Sequence, residues 1–171
     1  MTWYALLLLA IAAERLTELV VARRNASWTL ARSGVEHGRG HYPAMVALHT
    51  GLLVCCFLES ALADRPFLPA LGWTALVLVA LAQALRWWCV MTLGPYWNTR
   101  VIVVPGARLV GSGPYRFLRH PNYVAVVVEI AALPLVHGAW LSALVFTAAN
   151  AWLLAVRIRC ENAALAGAVP A

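Results

Sequence analysis

Five apolar stretches, at 3–21, 44–62, 68–85 (extendable to 91), 123–136 and 141–158, take up most of a chain of 171 residues. A helix crosses the hydrocarbon core of a bilayer with about 20 apolar residues, because its backbone N–H and C=O groups must all be satisfied within the segment. The series therefore predicts an all-α integral membrane protein of about five transmembrane helices, forming a single domain over 1–171. The fourth stretch is short and stops near Pro134, and only residues 137–140 separate it from the fifth, so the last two helices should form a tight hairpin. Composition agrees, with 63% of residues apolar and 12% charged, whereas about a quarter of the residues in a soluble domain are charged. The first residues lack a basic cluster and the apolar run continues past Ala13 into a patterned helix, which reads as a span and not as a cleaved secretion signal.

Charge gathers between the apolar stretches. Eleven of the 13 basic residues lie in 22–43, in 86–122 or at Arg157 and Arg159, while the opposite side offers only Asp64, Arg65 and the short turn at His137. The positive-inside rule then places both long basic segments and the C-terminus in the cytosol, and the N-terminus outside. On this view the net charge of +6 is mostly a topology signal, and nucleic acid is not expected as a partner. All 13 basic residues are arginine, which excludes a lysine Schiff base or lysine general base. Cys55 and Cys56 are adjacent inside an apolar run, and Cys89 and Cys160 stand alone; without a ligand or redox spacing they read as buried thiols, and no metal site is expected.

The residues that are not apolar filler cluster on the cytosolic side. Residues 106–123 read G-A-R-L-V-G-S-G-P-Y-R-F-L-R-H-P-N-Y. Their glycines and prolines break any long helix, and irregular backbone survives at membrane depth only where protein buries it or a watery cavity solvates it. Pro121 suits the first turn of the fourth helix. Arg119, His120 and the N–H groups around Asn122 and Tyr123 would then offer positive potential to a carboxylate or phosphate, or, in a plainer role, to lipid headgroups. At the far end of the hairpin, Arg157 and Glu161 are four apart on one helical face. They are either a simple ion pair or two groups serving ligands of opposite charge. The tight hairpin makes the start of helix four and the end of helix five neighbours, so His120, Tyr123, Arg157 and Glu161 should converge.

The string G-P-Y-R-x-x-R-H-P-N-Y (Gly113 to Tyr123), followed after an apolar hairpin by R-I-x-x-E (Arg157 to Glu161), resembles the isoprenylcysteine carboxyl methyltransferase family of integral membrane enzymes. E-L-V-V-x-R-R-N from Glu18, G-V-E from Gly34, H-Y-P from His41 and L-H at Leu48 are similar to its bacterial branch associated with type III polyketide synthases. The resemblance implies a site built from about 94–165, facing the cytosol from a bacterial cytoplasmic membrane. It implies S-adenosylmethionine as cofactor, held by Ala107, Arg108, Leu109, Val110, Tyr115, His120, Pro121, Asn122, Tyr123 and Glu161, with Arg157 as the catalytic residue on the substrate side. The branch implies O-methylation of a lipophilic acceptor reached through the bilayer, an alkylpyrone or alkylresorcinol, with a type III polyketide synthase as pathway neighbour. Many relatives carry two consecutive glutamates where this chain has Glu161–Asn162.

The chemistry suits these side chains. The cofactor's carboxylate fits His120 or Arg119 at the helix start, its ammonium fits Glu161, and its adenine fits a slot beside Tyr115, Leu109 and Val110. Methyl transfer discharges a sulfonium, so a water-poor site favours it, and a guanidinium at Arg157 can hold a phenol or enol as its anion. Glu18 and Glu129 are candidate substrate residues because ionisable groups inside spans usually face the bundle interior. For Glu14 and Glu18 the alternative is snorkelling to the interface, and for Glu129 it is a neutral carboxyl bonded to a neighbouring helix. His41, another candidate, and His49 can orient a hydroxyl or act as base, or serve as hydrogen-bonded structural groups. The repeated G-P-Y-x-x-x-R at Gly94 and Gly113 reads as two membrane-edge turns, with Arg100 near the rim. Carboxyl methylation of an isoprenylcysteine-like acceptor, phospholipid N-methylation, and a non-catalytic lipid-binding protein are the other readings.

Overall fold

The computed structural model describes residues 2–63 and 65–168, so Asp64 lies outside the described residues. Five helices dominate: α1 (Thr2–Leu30), α2 (Tyr42–Leu62), α3 (Pro69–Leu93), α4 (Pro121–Leu135) and α5 (Trp140–Ala168). Prolines set three of the starts, with Pro43, Pro69 and Pro121 in the first turns of α2, α3 and α4, where a missing N–H costs nothing. Three helical segments are long and apolar enough to cross a membrane: Arg39–Leu62, Pro69–Tyr96 and Trp140–Gly167. Of the other two expected spans, α4 has 15 residues, and the apolar part of α1 is interrupted by Glu14, Arg15 and Glu18. Large apolar side chains such as Leu6, Leu9, Val77, Leu81, Leu144 and Trp152 point outward, as a lipid-facing surface requires.

Helices α1 and α5 outrun the apolar stretches that predicted them, each reaching 29 residues. At 1.5 Å per residue that is about 43 Å, well beyond the hydrocarbon core. The basic segment 22–43 is consequently more than a loop. α1 ends where Thr29 back-bonds to Asn25 O at 3.0 Å and Gly34 N–H returns to Thr29 O at 3.0 Å. A Cβ at Gly34 would sit 2.6 Å from that same oxygen, so only glycine permits the reversal. The chain then forms β1 (Val35–His37), which pairs antiparallel with β2 (Val101–Val103), Val35 opposite Val103 and His37 opposite Val101. This two-stranded sheet, absent from the all-α expectation, fastens the first basic segment to the second. Three-residue strands are too short to reveal themselves by alternation.

The predicted hairpin is present: α4 and α5 are joined by residues 136–139, with Gly138 in the left-handed region at φ 71°. Glu59 of α2 caps the start of α5, accepting from Ser142 N at 2.7 Å, Ser142 Oγ at 2.7 Å and Leu141 N at 3.1 Å. A carboxylate there satisfies first-turn N–H groups and complements the helix dipole. In the core, Leu8, Ile11, Leu52, Val79, Ile130 and Leu133 pack together, and the fully buried Tyr4 donates its hydroxyl to Leu133 O at 3.0 Å. Gly72 permits close packing of α3 on the α4–α5 turn, since a Cβ there would lie 2.8 Å from Val136 O.

A buried ionic cluster ties α1, α3 and α4 together. Arg15 Nη2 reaches both oxygens of Glu129, at 2.6 and 2.8 Å, and Arg15 Nη1 reaches Glu18 at 2.6 Å. Arg86 donates to Glu129 and lies 3.3 Å from Glu18. Gln83 and Trp87 Nε1 donate to Glu14, the indole at 2.6 Å. Arg86 thus corrects the count of loop arginines: α3 continues to Leu93, and Arg86 is a core residue 3% exposed. Glu18, 4% exposed, is turned inward and does not snorkel. Glu129 is ion-paired to two guanidiniums and is not a lone neutral carboxyl.

Breaking a buried pair from one side leaves an uncompensated charge and costs about 3–5 kcal/mol. Glu129→Ala should therefore melt far below the wild type in detergent, whereas Arg159→Ala, at an exposed position, should stay within about 0.5 kcal/mol. Equal melting of Glu129→Ala and the wild type would sink the role of this cluster as a brace.

Candidate functional site

The site grows from two helix ends that the hairpin brings side by side. Pro121 starts α4, which fixes His120 just before it and Tyr123 at the third position of its first turn. Arg157 and Glu161 share a face of α5 near its C-terminal end. Tyr123 Oη donates to Glu161 Oε2, and the His120 and Tyr123 rings stack at 5.3 Å and 28°. His120 Nδ1 lies 3.5 Å from Glu161 Oε1, and Nε2 donates to Asn162 Oδ1 at 2.9 Å. The expected convergence of His120, Tyr123, Arg157 and Glu161 is met. Asn162 holds the far side of the His120 ring.

The simple Arg157–Glu161 ion pair does not form. Among the described residues no carboxylate lies within ion-pairing distance of Arg157, which is only 6% exposed. Its Nη2 donates to Thr99 O at 3.0 Å, its Nη1 lies 3.0 Å from Met45 Sδ, its guanidinium carbon is 5.9 Å from the Tyr123 ring centre, and its buried Nε has no partner. A guanidinium held by uncharged groups keeps its positive charge available to a ligand.

These groups border one cavity of about 1120 Å³. Residues Ala107, Arg108, Leu109, Val110 and Tyr115 line one part of it, with His120, Asn122, Tyr123 and Glu161 beside them. Arg157 and Met45 line it too, as do Arg15, Glu18, Arg86 and His49, so the brace of the fold is also a wall of the cavity. Pro121, Glu129 and His41 do not line it: Pro121 is buried at the start of α4, Glu129 lies behind the two arginines that bind it, and His41 sits on the Arg39–His41 turn. The Tyr123 N–H, expected to be free for an anion, is taken by His120 O at 3.1 Å.

Part of the wall was read from sequence only as a turn. After Gly94–Tyr96 the chain runs through Trp97, Asn98 and Thr99, all lining the cavity. The buried Asn25 of α1 pins this segment, donating to Trp97 O at 2.7 Å and Gly94 O at 3.1 Å. Trp97 Nε1, both amide atoms of Asn98 and Asn122 Oδ1 are buried without a hydrogen-bond partner, an arrangement that buried polar groups rarely leave unfilled. The available signal was Asn25, a single amide ending an arginine pair inside a helical stretch.

Electrostatics distinguish the polar groups. Hydrogen bonding to Glu161, opposed by burial and assisted by Asn162, raises the His120 pKa above its ordinary 6.5. Burial, with neighbouring Cys89, pushes the Tyr115 phenol upward, so it serves as a wall and donor and not as a base.

Residues 74–167 match the isoprenylcysteine carboxyl methyltransferase (ICMT) family. The chain is 37% identical to the uncharacterized protein YpbQ of Bacillus subtilis over 166 residues, 96% of each chain. It is 23% identical to an uncharacterized protein of Haemophilus influenzae over 161 residues, 94% of this chain and 93% of that one.

A histidine whose folded pKa is raised stabilises the fold fully below its unfolded value, here near 6.5, and loses that contribution as pH climbs through the folded value. The melting difference between wild type and His120→Gln in detergent should therefore be larger at about pH 6 than at about pH 9. A difference that grows with pH would show that the His120–Glu161 contact does not favour the charged ring.

Proposed function

Because the chain belongs to the isoprenylcysteine carboxyl methyltransferase family, a family of membrane methyltransferases, we propose that it transfers a methyl group from S-adenosylmethionine to an oxygen of a lipophilic acceptor at the cytosolic face of a bacterial cytoplasmic membrane. The observation that carries this reading is one cavity lined by both Glu161, held by Tyr123 and His120, and Arg157, which among the described residues has no carboxylate within ion-pairing distance.

The donor set fits the cofactor. Glu161 keeps acceptor capacity for an ammonium after accepting from Tyr123. The unpartnered Asn122 Oδ1 can accept from the cofactor's ammonium, and Arg119, which lines the cavity, is left to meet the carboxylate, because both His120 nitrogens are engaged by Glu161 and Asn162. Leu109, Val110 and Tyr115 offer an apolar slot for adenine. When bound, the cofactor supplies an electrophilic methyl on a sulfonium. The chain excludes water with its apolar wall, orients the acceptor, and places the Arg157 guanidinium where an oxygen anion develops. A guanidinium within about 4–6 Å lowers an acid's pKa by roughly one to three units.

The acceptor put first is a hydroxyl of an alkylpyrone or alkylresorcinol, with a type III polyketide synthase as pathway neighbour. An isoprenylcysteine-like carboxylate is the second reading, and the family itself favours it. Both reach the cavity from the bilayer, and both suit Arg157. The N-terminus would lie outside and the C-terminus in the cytosol, which puts the Glu161 end of the cavity toward the soluble cofactor.

Purified protein in detergent should bind S-adenosylmethionine saturably by calorimetry. Glu161→Gln should weaken that binding roughly tenfold to a hundredfold, the worth of one charged hydrogen bond. Arg157→Ala should lower turnover by about 10²–10³, as loss of a developing-charge donor does, with cofactor affinity little changed. The reverse pattern would show the two roles exchanged, and no saturable binding would exclude the enzyme. Labelled cofactor offered with an alkylpyrone, an alkylresorcinol or acetyl-farnesylcysteine separates the acceptors, and label in the last alone would reject the polyketide hydroxyl.

A further inference from the structure

We propose that His49 of α2 is the base that accepts the acceptor's hydroxyl proton during methyl transfer. This rests on the hydroxyl-acceptor reading above, since a carboxylate acceptor has no proton to lose at neutral pH. His49 Nδ1 faces the Met45 carbonyl of its own helix at 2.9 Å. Facing a carbonyl, Nδ1 must carry the hydrogen, so the neutral ring leaves Nε2 as a bare lone pair. Among the described residues nothing hydrogen-bonds to Nε2, and His49 lines the cavity.

His49 and Arg157 line the same cavity: Met45, whose sulphur lies 3.0 Å from Arg157 Nη1, precedes His49 by one helical turn, so the two share a face of α2. An acceptor oxygen bound in that cavity can face both the guanidinium and Nε2. The charged groups facing His49 are Arg15 from α1, Arg86 from α3 and Glu129 from α4. All three are engaged with one another, so none occupies Nε2. The step balances: the O–H bond breaks with its proton passing to Nε2, the O–CH3 bond forms, and the S–CH3 electron pair remains on the cofactor sulphur. His49 releases the proton to water when the product leaves. Arg157 stabilises the oxygen anion and His49 removes the proton, two tasks that one guanidinium, always protonated, cannot combine.

The test uses the full chain in lipid nanodiscs with S-adenosylmethionine and an alkylresorcinol. General-base loss costs about 10²–10⁴-fold, so His49→Gln should lower kcat/KM by that range, most steeply at low pH and least where the phenol ionises unaided, while cofactor affinity by calorimetry stays at the wild-type level. Added imidazole should restore turnover to His49→Ala. A 15N spectrum of histidine-labelled protein should show Nδ1 protonated and Nε2 bare, with the Nε2 signal moving on addition of the alkylresorcinol. Unchanged kcat/KM in His49→Gln, a loss with no pH dependence and no imidazole rescue, or the opposite tautomer would overturn the proposal. Wild type that methylates acetyl-farnesylcysteine but no hydroxyl acceptor would overturn both this step and the hydroxyl reading, whereas hydroxyl methylation undiminished in His49→Gln overturns the base alone.

Discussion

The two-sided grip of Arg15 and Arg86 on Glu129 is the contact on which the rest of the molecule depends. Charges in a water-poor interior persist only in mutual compensation, and here the compensation needs α1, α3 and α4 at once. Pure apolar packing between helices in lipid gains little from hydrophobicity, since lipid tails offer the same environment. A set of ion pairs that can close in one arrangement specifies register where greasy surfaces would slide. With α4 held by the cluster, its N-terminal turn is fixed, and the His120–Tyr123 end of the site is fixed with it.

The opposite end is held by polar contacts of a different kind. Glu59 caps α5 from α2, and the short turn at 136–139 ties α5 to α4. Where the helices emerge, the β1–β2 pairing and the Asn25 side chain bind the basic segments to one another. The cavity is thus framed by two anchored ends of a bundle, and Arg157 reaches across it to Thr99 O. The start of the irregular segment 94–120 is held because the Gly94 and Trp97 carbonyls find Asn25 and the Thr99 carbonyl finds Arg157, and because Trp97, Asn98 and Thr99 line a cavity.

The hairpin and the placing of Arg157 and Glu161 on one helical face were legible because they follow from helix geometry alone. Pro121 announced the start of α4, and a four-residue gap after Val136 left no alternative to antiparallel neighbours, so the meeting of Tyr123 with Glu161 could be deduced. Arg86 was not legible in the same way. Near the end of an apolar stretch an arginine looks like a flank residue, and only the continuation of α3 to Leu93, with Glu129 arriving from 43 positions away, makes it a core group. The two-stranded sheet and the Asn25 anchor were hidden for a related reason: each is a contact between distant segments, carried by three residues or by one, with no local period to read. The resemblance in Gly113–Tyr123 and Arg157–Glu161 pointed to residues that line the cavity, but it did not reveal that the brace of the fold lines the same cavity.

That double use gives the chain's lack of lysine a meaning beyond topology. An ammonium is a single, strongly hydrated point charge that gives up its proton when buried, whereas a guanidinium stays charged and offers five donors in a plane. Arg15 uses that fan to contact Glu18, Gln83 and Glu129 together, and Arg86 spans Gln83, Glu18 and Glu129. Arg157 keeps its charge while bound to a carbonyl and a thioether, neither of which neutralises it. A lysine at any of the three positions would lose partners and, at position 157, where no carboxylate of the described residues is within ion-pairing distance, would have reason to lose its proton as well. Arginine inside the bundle is therefore required by the same physics that makes arginine outside it an orientation signal: the charge cannot be discharged, so it must be either solvated, paired or put to use.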